Sequence, residues 1–129
     1  MDERWSSEAM WPGAPESVAL ARAFVADELR DNRLPGLVDE AQLVASELAT
    51  NAVRHAETPF VVSIERNDGH VTISVRDWSA VIPVAEPPQP LATNGHGLLL
   101  VSALSVTWGI TVKAEGGKSV WARFRTPDL

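Results

Sequence analysis

The stretch Ser46-Glu47-Leu48-Ala49-Thr50-Asn51-Ala52-Val53-Arg54-His55 decides how the rest of the chain is read. Around it, Ala41, Val44, Ala45, Leu48 and Ala52 recur at helical spacing and form an apolar stripe, which predicts a helix from Val38 to Ala56. Asp39 and Glu40 stand in its first turn, where the helix dipole favours negative charge. Glu47, Asn51 and His55 are spaced i, i+4, i+8. At about 100° per residue they make one polar stripe along the border of the apolar one. A carboxylate and an amide at the rim of a core face can reach into a cavity, the first to take a proton and the second to bind a hard cation through its oxygen. The same spacing also suits a solvated helix face with a local side-chain pair.

Working outward, residues 3–11 alternate with Trp5, Ala9 and Trp11 on one parity, the period of a half-buried strand ended by Pro12-Gly13. Pro15 and Glu16 suit a first helical turn, and Val18, Ala21, Phe24, Val25 and Leu29 continue a helix until residues 32–36 break it. After the central helix, Phe60, Val62 and Ile64 alternate with polar neighbours, Asn67-Asp68-Gly69 supplies a turn, and Val71, Ile73 and Val75 alternate again. This is a β-hairpin. Asp77 shares the parity of Val71, Ile73 and Val75 and so points to the apolar side, unless the strand ends first and Asp77 starts a turn. Burying a carboxylate without a partner costs several kcal/mol, so a ligand donor would give that placement a reason. Trp78 beside it can stack on a ligand or simply pack, and packing is the favoured reading because buried area explains an aromatic without any ligand.

Residues 79–94 hold four prolines and form a long loop, a candidate lid. Gly95-His96-Gly97 then feeds a short helix over Leu98–Leu104, and a helix N-terminus with free N–H groups suits phosphate. Glycine before a helix is also plain turn chemistry. A second hairpin pairs Val106–Val112 with Val120–Phe124 across the turn Glu115-Gly116-Gly117-Lys118, with Ser119 entering the strand. The order β-α-α-β-β-loop-α-β-β implies an α+β fold, a two-layer sandwich with helices on one face of a mixed, mostly antiparallel sheet.

The bulk numbers limit the chemistry. One domain spanning residues 1–129 is expected from the length. The chain has no cysteine, which excludes disulfides, thiolate metal sites and a cysteine nucleophile. A formal net charge of −6 argues against direct binding of nucleic acid, which needs clustered cations. No apolar run is long enough for a membrane span, and the first residues lack the order of a signal peptide, so a cytoplasmic location without membrane attachment is expected.

Taken in order, Ser46–His55, Asp77 and Gly95-His96-Gly97-Leu98 resemble the motifs of the histidine-kinase, gyrase and heat-shock-chaperone type of ATPase, specifically its small bacterial anti-sigma-factor serine/threonine kinase branch. The first resembles the N box, the second the adenine-binding aspartate, the third the second glycine box, and the likeness covers nearly the whole chain. It implies the Bergerat ATP-binding fold, with ATP and Mg²⁺ as cofactors. It further implies Asn51 as the Mg²⁺ ligand, Asp77 accepting from the adenine amino group, Glu47 as catalytic base, and Gly95, Gly97 and Leu98 at the phosphates. The resemblance also implies Ser119 at the position near the adenine base where the family often has a threonine. The implied partners are a sigma factor and an anti-anti-sigma protein phosphorylated on serine or threonine, with a possible homodimer. One departure stands out: Ser79 and Val81 occupy positions where the family commonly has glycine. That departure keeps open a non-catalytic regulator that senses nucleotide, or grips a partner without it.

Overall fold

A computed structural model describes residues 4–56, 58–79, 105 and 107–126, with backbone only at 55 and 56. In chain order it contains β1 (Arg4–Trp11), α1 (Glu16–Asp31), a 3-10 turn (Pro35–Leu37), α2 (Val38–Ala56), β2 (Phe60–Asn67), β3 (His70–Asp77), β4 (Thr107–Val112) and β5 (Lys118–Arg125). The strands form one sheet in the order β1-β2-β3-β5-β4, and every pairing between the described strands is antiparallel. The α+β expectation therefore holds, with neighbouring described strands antiparallel throughout.

Each helix forms and stops for a local reason. Pro15 precedes α1 with φ already helical, and Ser17 N–H is satisfied by Ala14 carbonyl. The helix ends where Asn32 Nδ2 and N–H both bond Glu28 carbonyl and Arg33 turns left-handed at φ 63°. Pro35 then prevents its continuation and starts the 3-10 turn that leads into α2.

Both helices cover one face of the sheet. Ala21, Val25 and Leu29 of α1, with Val44, Ala45 and Leu48 of α2, pack on Phe60, Val62 and Ile64 of β2 and Val71, Ile73 and Val75 of β3. Trp11 meets Phe24 edge-on at 5.7 Å and lies 6.2 Å from Phe60, closing the β1 end of this core. The opposite face carries Ser63, Thr72, Ser74 and Ser119, none of them fully buried, as period-two alternation requires. Of the two helices, α2 makes the main contact with β3, which brings the Glu47–Asn51 stripe alongside the strand that ends at Asp77. The proposed helix over 98–104, Gly95-His96-Gly97 and all of the 79–94 loop except Ser79 lie outside the described residues.

Candidate functional site

Alternation along β3 carries Asp77 to the helix side with Val71, Ile73 and Val75, and it is 2% exposed. It is not alone there. Lys118 opens β5 directly opposite it in the strand register and is 3% exposed. Its Nζ lies 2.9 Å from both Oδ1 and Oδ2, and Ser79 N–H donates to Oδ1 at 2.9 Å. The carboxylate thus receives two contacts from an ammonium and one from a backbone amide, which fill about three of its roughly four acceptor positions.

Gly117 makes this approach possible. Its φ is +84°, and a Cβ there would sit 2.2 Å from Asp77 carbonyl oxygen. With no side chain at 117, the start of β5 lies hard against the end of β3, and the next residue inherits the inward parity.

On the facing helix, Asn51 is 8% exposed, and its Nδ2 is buried with no hydrogen-bond partner among the described residues. An unmade amide hydrogen bond of this kind costs about 1–3 kcal/mol, a penalty that a ligand acceptor would remove. Glu47 is half-buried one turn earlier, and the side chain of His55 lies outside the described residues. Asn51 is thus buried on α2, and Asp77 is buried on the helix side of β3, the strand that α2 packs against.

These residues fit a magnesium nucleotide. Asn51 offers a donor for a phosphate oxygen through Nδ2 and a hard ligand through Oδ1, and Asp77 is an acceptor of the kind a purine amino group needs. Among the described residues no group of three His, Cys, Asp or Glu is placed to hold a metal ion by itself, so a cation here would need phosphate oxygens to complete its shell. Because Asn51 Nδ2 has no partner among the described residues, Asn51→Ala is expected to change unfolding free energy without ligand by less than about 1 kcal/mol while removing any stabilisation by Mg-ATP. Thermal melts with and without nucleotide check this; a large loss without ligand would show that Asn51 holds the fold instead.

Two placements differ from the sequence expectation. Ser119 pairs with Arg76 and Thr111 in register and has the opposite parity to Asp77, so Lys118 and not Ser119 shares the carboxylate's side of the sheet. Trp78 does not pack into the core: it is 41% exposed, and the Arg76 guanidinium lies 5.1 Å from its ring centroid. The sequence puts Lys118 in the turn Glu115–Lys118, whereas it stands two residues before Val120 and four before Ala122, on the buried parity of β5. Gly95, Gly97 and Leu98 lie outside the described residues.

A family model described as a histidine kinase-like ATPase domain matches residues 11–124. No curated protein matches the chain significantly. Among solved structures, the RsbU and RsbW domains of Rv1364c from Mycobacterium tuberculosis superimpose with a TM-score of 0.72 at 20% sequence identity, over 95% of this chain and 32% of that one. At that identity the likeness is one of fold, and the chain spans about a third of the length of the protein it matches.

Proposed function

Because this chain belongs to the histidine kinase-like ATPase domain family, we propose that it binds ATP with Mg²⁺ as an anti-sigma regulatory factor and phosphorylates an anti-anti-sigma partner on serine or threonine. The observation that carries the reading is the buried Asn51 amide, with no Nδ2 partner among the described residues, on the helix that packs against the strand ending in buried Asp77. In this reading Asp77 accepts from the adenine amino group, and Asn51 holds the metal and phosphates from the helix side. Backbone N–H groups at Gly95, Gly97 and Leu98 cradle the phosphates. Bound Mg²⁺ supplies charge neutralisation for the phosphoryl group.

Glu47 is the base. As the partner's hydroxyl oxygen bonds to the γ-phosphorus, the bond from that phosphorus to the β,γ-bridging oxygen breaks, ADP leaves, and the hydroxyl proton passes to the Glu47 carboxylate. Positioning and charge supply most of the rate. The sigma factor is the regulated partner, with the domain acting in the cytoplasm, as a dimer in some states. Among the described residues no helix is long and apolar enough to cross a membrane.

The test is phosphate transfer from labelled ATP to candidate anti-anti-sigma proteins. Wild type is expected to label one of them, and Glu47→Gln to do so about 10²–10⁴-fold more slowly with unchanged ATP affinity. Equal labelling by Glu47→Gln removes Glu47 from the chemistry, and no labelling of any candidate removes the kinase reading. A second reading, a regulator that grips its partner without catalysis, is favoured by one observation: Lys118 already engages both oxygens of Asp77. Sigma-factor binding that is unaffected by nucleotide would select it.

A further inference from the structure

The Asp77–Lys118 pair deepens the nucleotide reading and rests on it. We infer that Lys118 is a built-in competitor for the purine-recognising carboxylate, so that nucleotide binds tightly only as the Lys118 ammonium loosens its hold on the Asp77 oxygens. Both oxygens lie 2.9 Å from Lys118 Nζ, and Oδ1 also accepts from Ser79 N–H. A purine amino group arriving at this carboxylate meets an acceptor that is already charge-paired. The ammonium cannot simply drift away into water, because it is 3% exposed and its backbone is locked in register opposite Asp77.

The pair also explains how a buried carboxylate persists without ligand. An aspartate between apolar layers needs a cation or donors; Lys118 supplies the cation while the site is empty, and a purine supplies a donor when it is full. Two closed states follow, paired and nucleotide-bound, and the apparent nucleotide affinity falls by the fraction of molecules in which the pair is open. A short hydroxyl side chain at 118 would carry no charge to hold the aspartate and would leave its acceptor positions to the base. Lys118 is therefore a residue that sets nucleotide affinity from within the site.

The experiment compares calorimetric Mg-ATP titrations of wild type, Lys118→Thr and Lys118→Met, with melting curves of each. The expected result is that both variants melt lower without nucleotide, bind Mg-ATP tighter than wild type by on the order of ten-fold or more, and recover stability when it binds. Wild type binding as tightly as the variants overturns the inference and leaves the nucleotide reading intact. No Mg-ATP binding by any of the three overturns both. Should the variants fail to fold, the lysine ammonium signals of wild type, observed by ¹H–¹⁵N NMR and assigned with Lys118→Arg, provide the readout. A Lys118 signal that shifts and loses protection at saturating Mg-ATP supports competition, and one that stays unchanged at saturation overturns it.

Discussion

Lys118→Met is expected to destabilise the domain by about 3–5 kcal/mol in the absence of nucleotide, because it removes one partner of a buried ion pair and leaves the other charged and desolvated. The magnitude follows from burial. Asp77 and Lys118 are nearly inaccessible, and the carboxylate accepts from Lys118 Nζ and Ser79 N–H. The double variant Asp77→Leu/Lys118→Met, which removes both charges, is expected to recover most of that loss, since an apolar replacement of a buried pair is often neutral. Urea unfolding of the two single variants and the double variant measures the coupling. If Lys118→Met costs under about 1 kcal/mol, the pair is not buried in solution as described.

Gly117→Val should be nearly as damaging, at about 2–4 kcal/mol, for two separate reasons. A β-branched residue is strained at φ +84°, and its Cβ would lie 2.2 Å from Asp77 carbonyl oxygen and 2.8 Å from Trp78 Cα, backbone atoms that cannot swing aside. The neighbouring Gly116 provides the control. Its φ of +100° imposes similar backbone strain, but a Cβ there meets nothing within 4 Å. Gly116→Ala is therefore expected to cost only the strain, about 1–2 kcal/mol. Equal costs for Gly116→Ala and Gly117→Ala in chemical denaturation would mean that the close approach of β5 to Asp77 has no energetic weight. Because Gly117 sets the distance between β3 and β5, its variants should also loosen the Asp77–Lys118 pair.

Much of this architecture was legible in the chain because period signals are strong where one face is buried. Val71, Ile73, Val75 and Asp77 share one parity, and all four are buried, so of the two placements that the sequence leaves open for Asp77, inward or in a turn, the inward one holds. The α2 stripe behaved likewise, with Asn51 near the apolar residues and Glu47 half-buried one turn earlier. The order β1-β2-β3-β5-β4 was less accessible, since local alternation says which face a residue takes and nothing about which strands lie side by side. Lys118 escaped notice for a related reason. A lysine following two glycines has the look of turn chemistry, and only the register Asp77 to Lys118 shows that the strand has already begun. Trp78 was misjudged because aromatic area usually seeks a core, whereas here the Arg76 guanidinium stacks on the ring at the surface.

The antiparallel sheet, the two helices laid over one of its faces and the family match together make a nucleotide-binding domain the natural setting for Asn51 and Asp77. On the proposed reading, the buried Lys118 ammonium held against Asp77 ties stability without ligand to the affinity for nucleotide. The most direct measurement is a crystal structure grown with a non-hydrolysable Mg-ATP analogue at millimolar concentration. The account predicts the adenine amino group at about 3 Å from an Asp77 oxygen that Lys118 has released, with Asn51 turned to the metal-bound phosphates. An ordered nucleotide anywhere else, with the Asp77–Lys118 pair still closed, would contradict it.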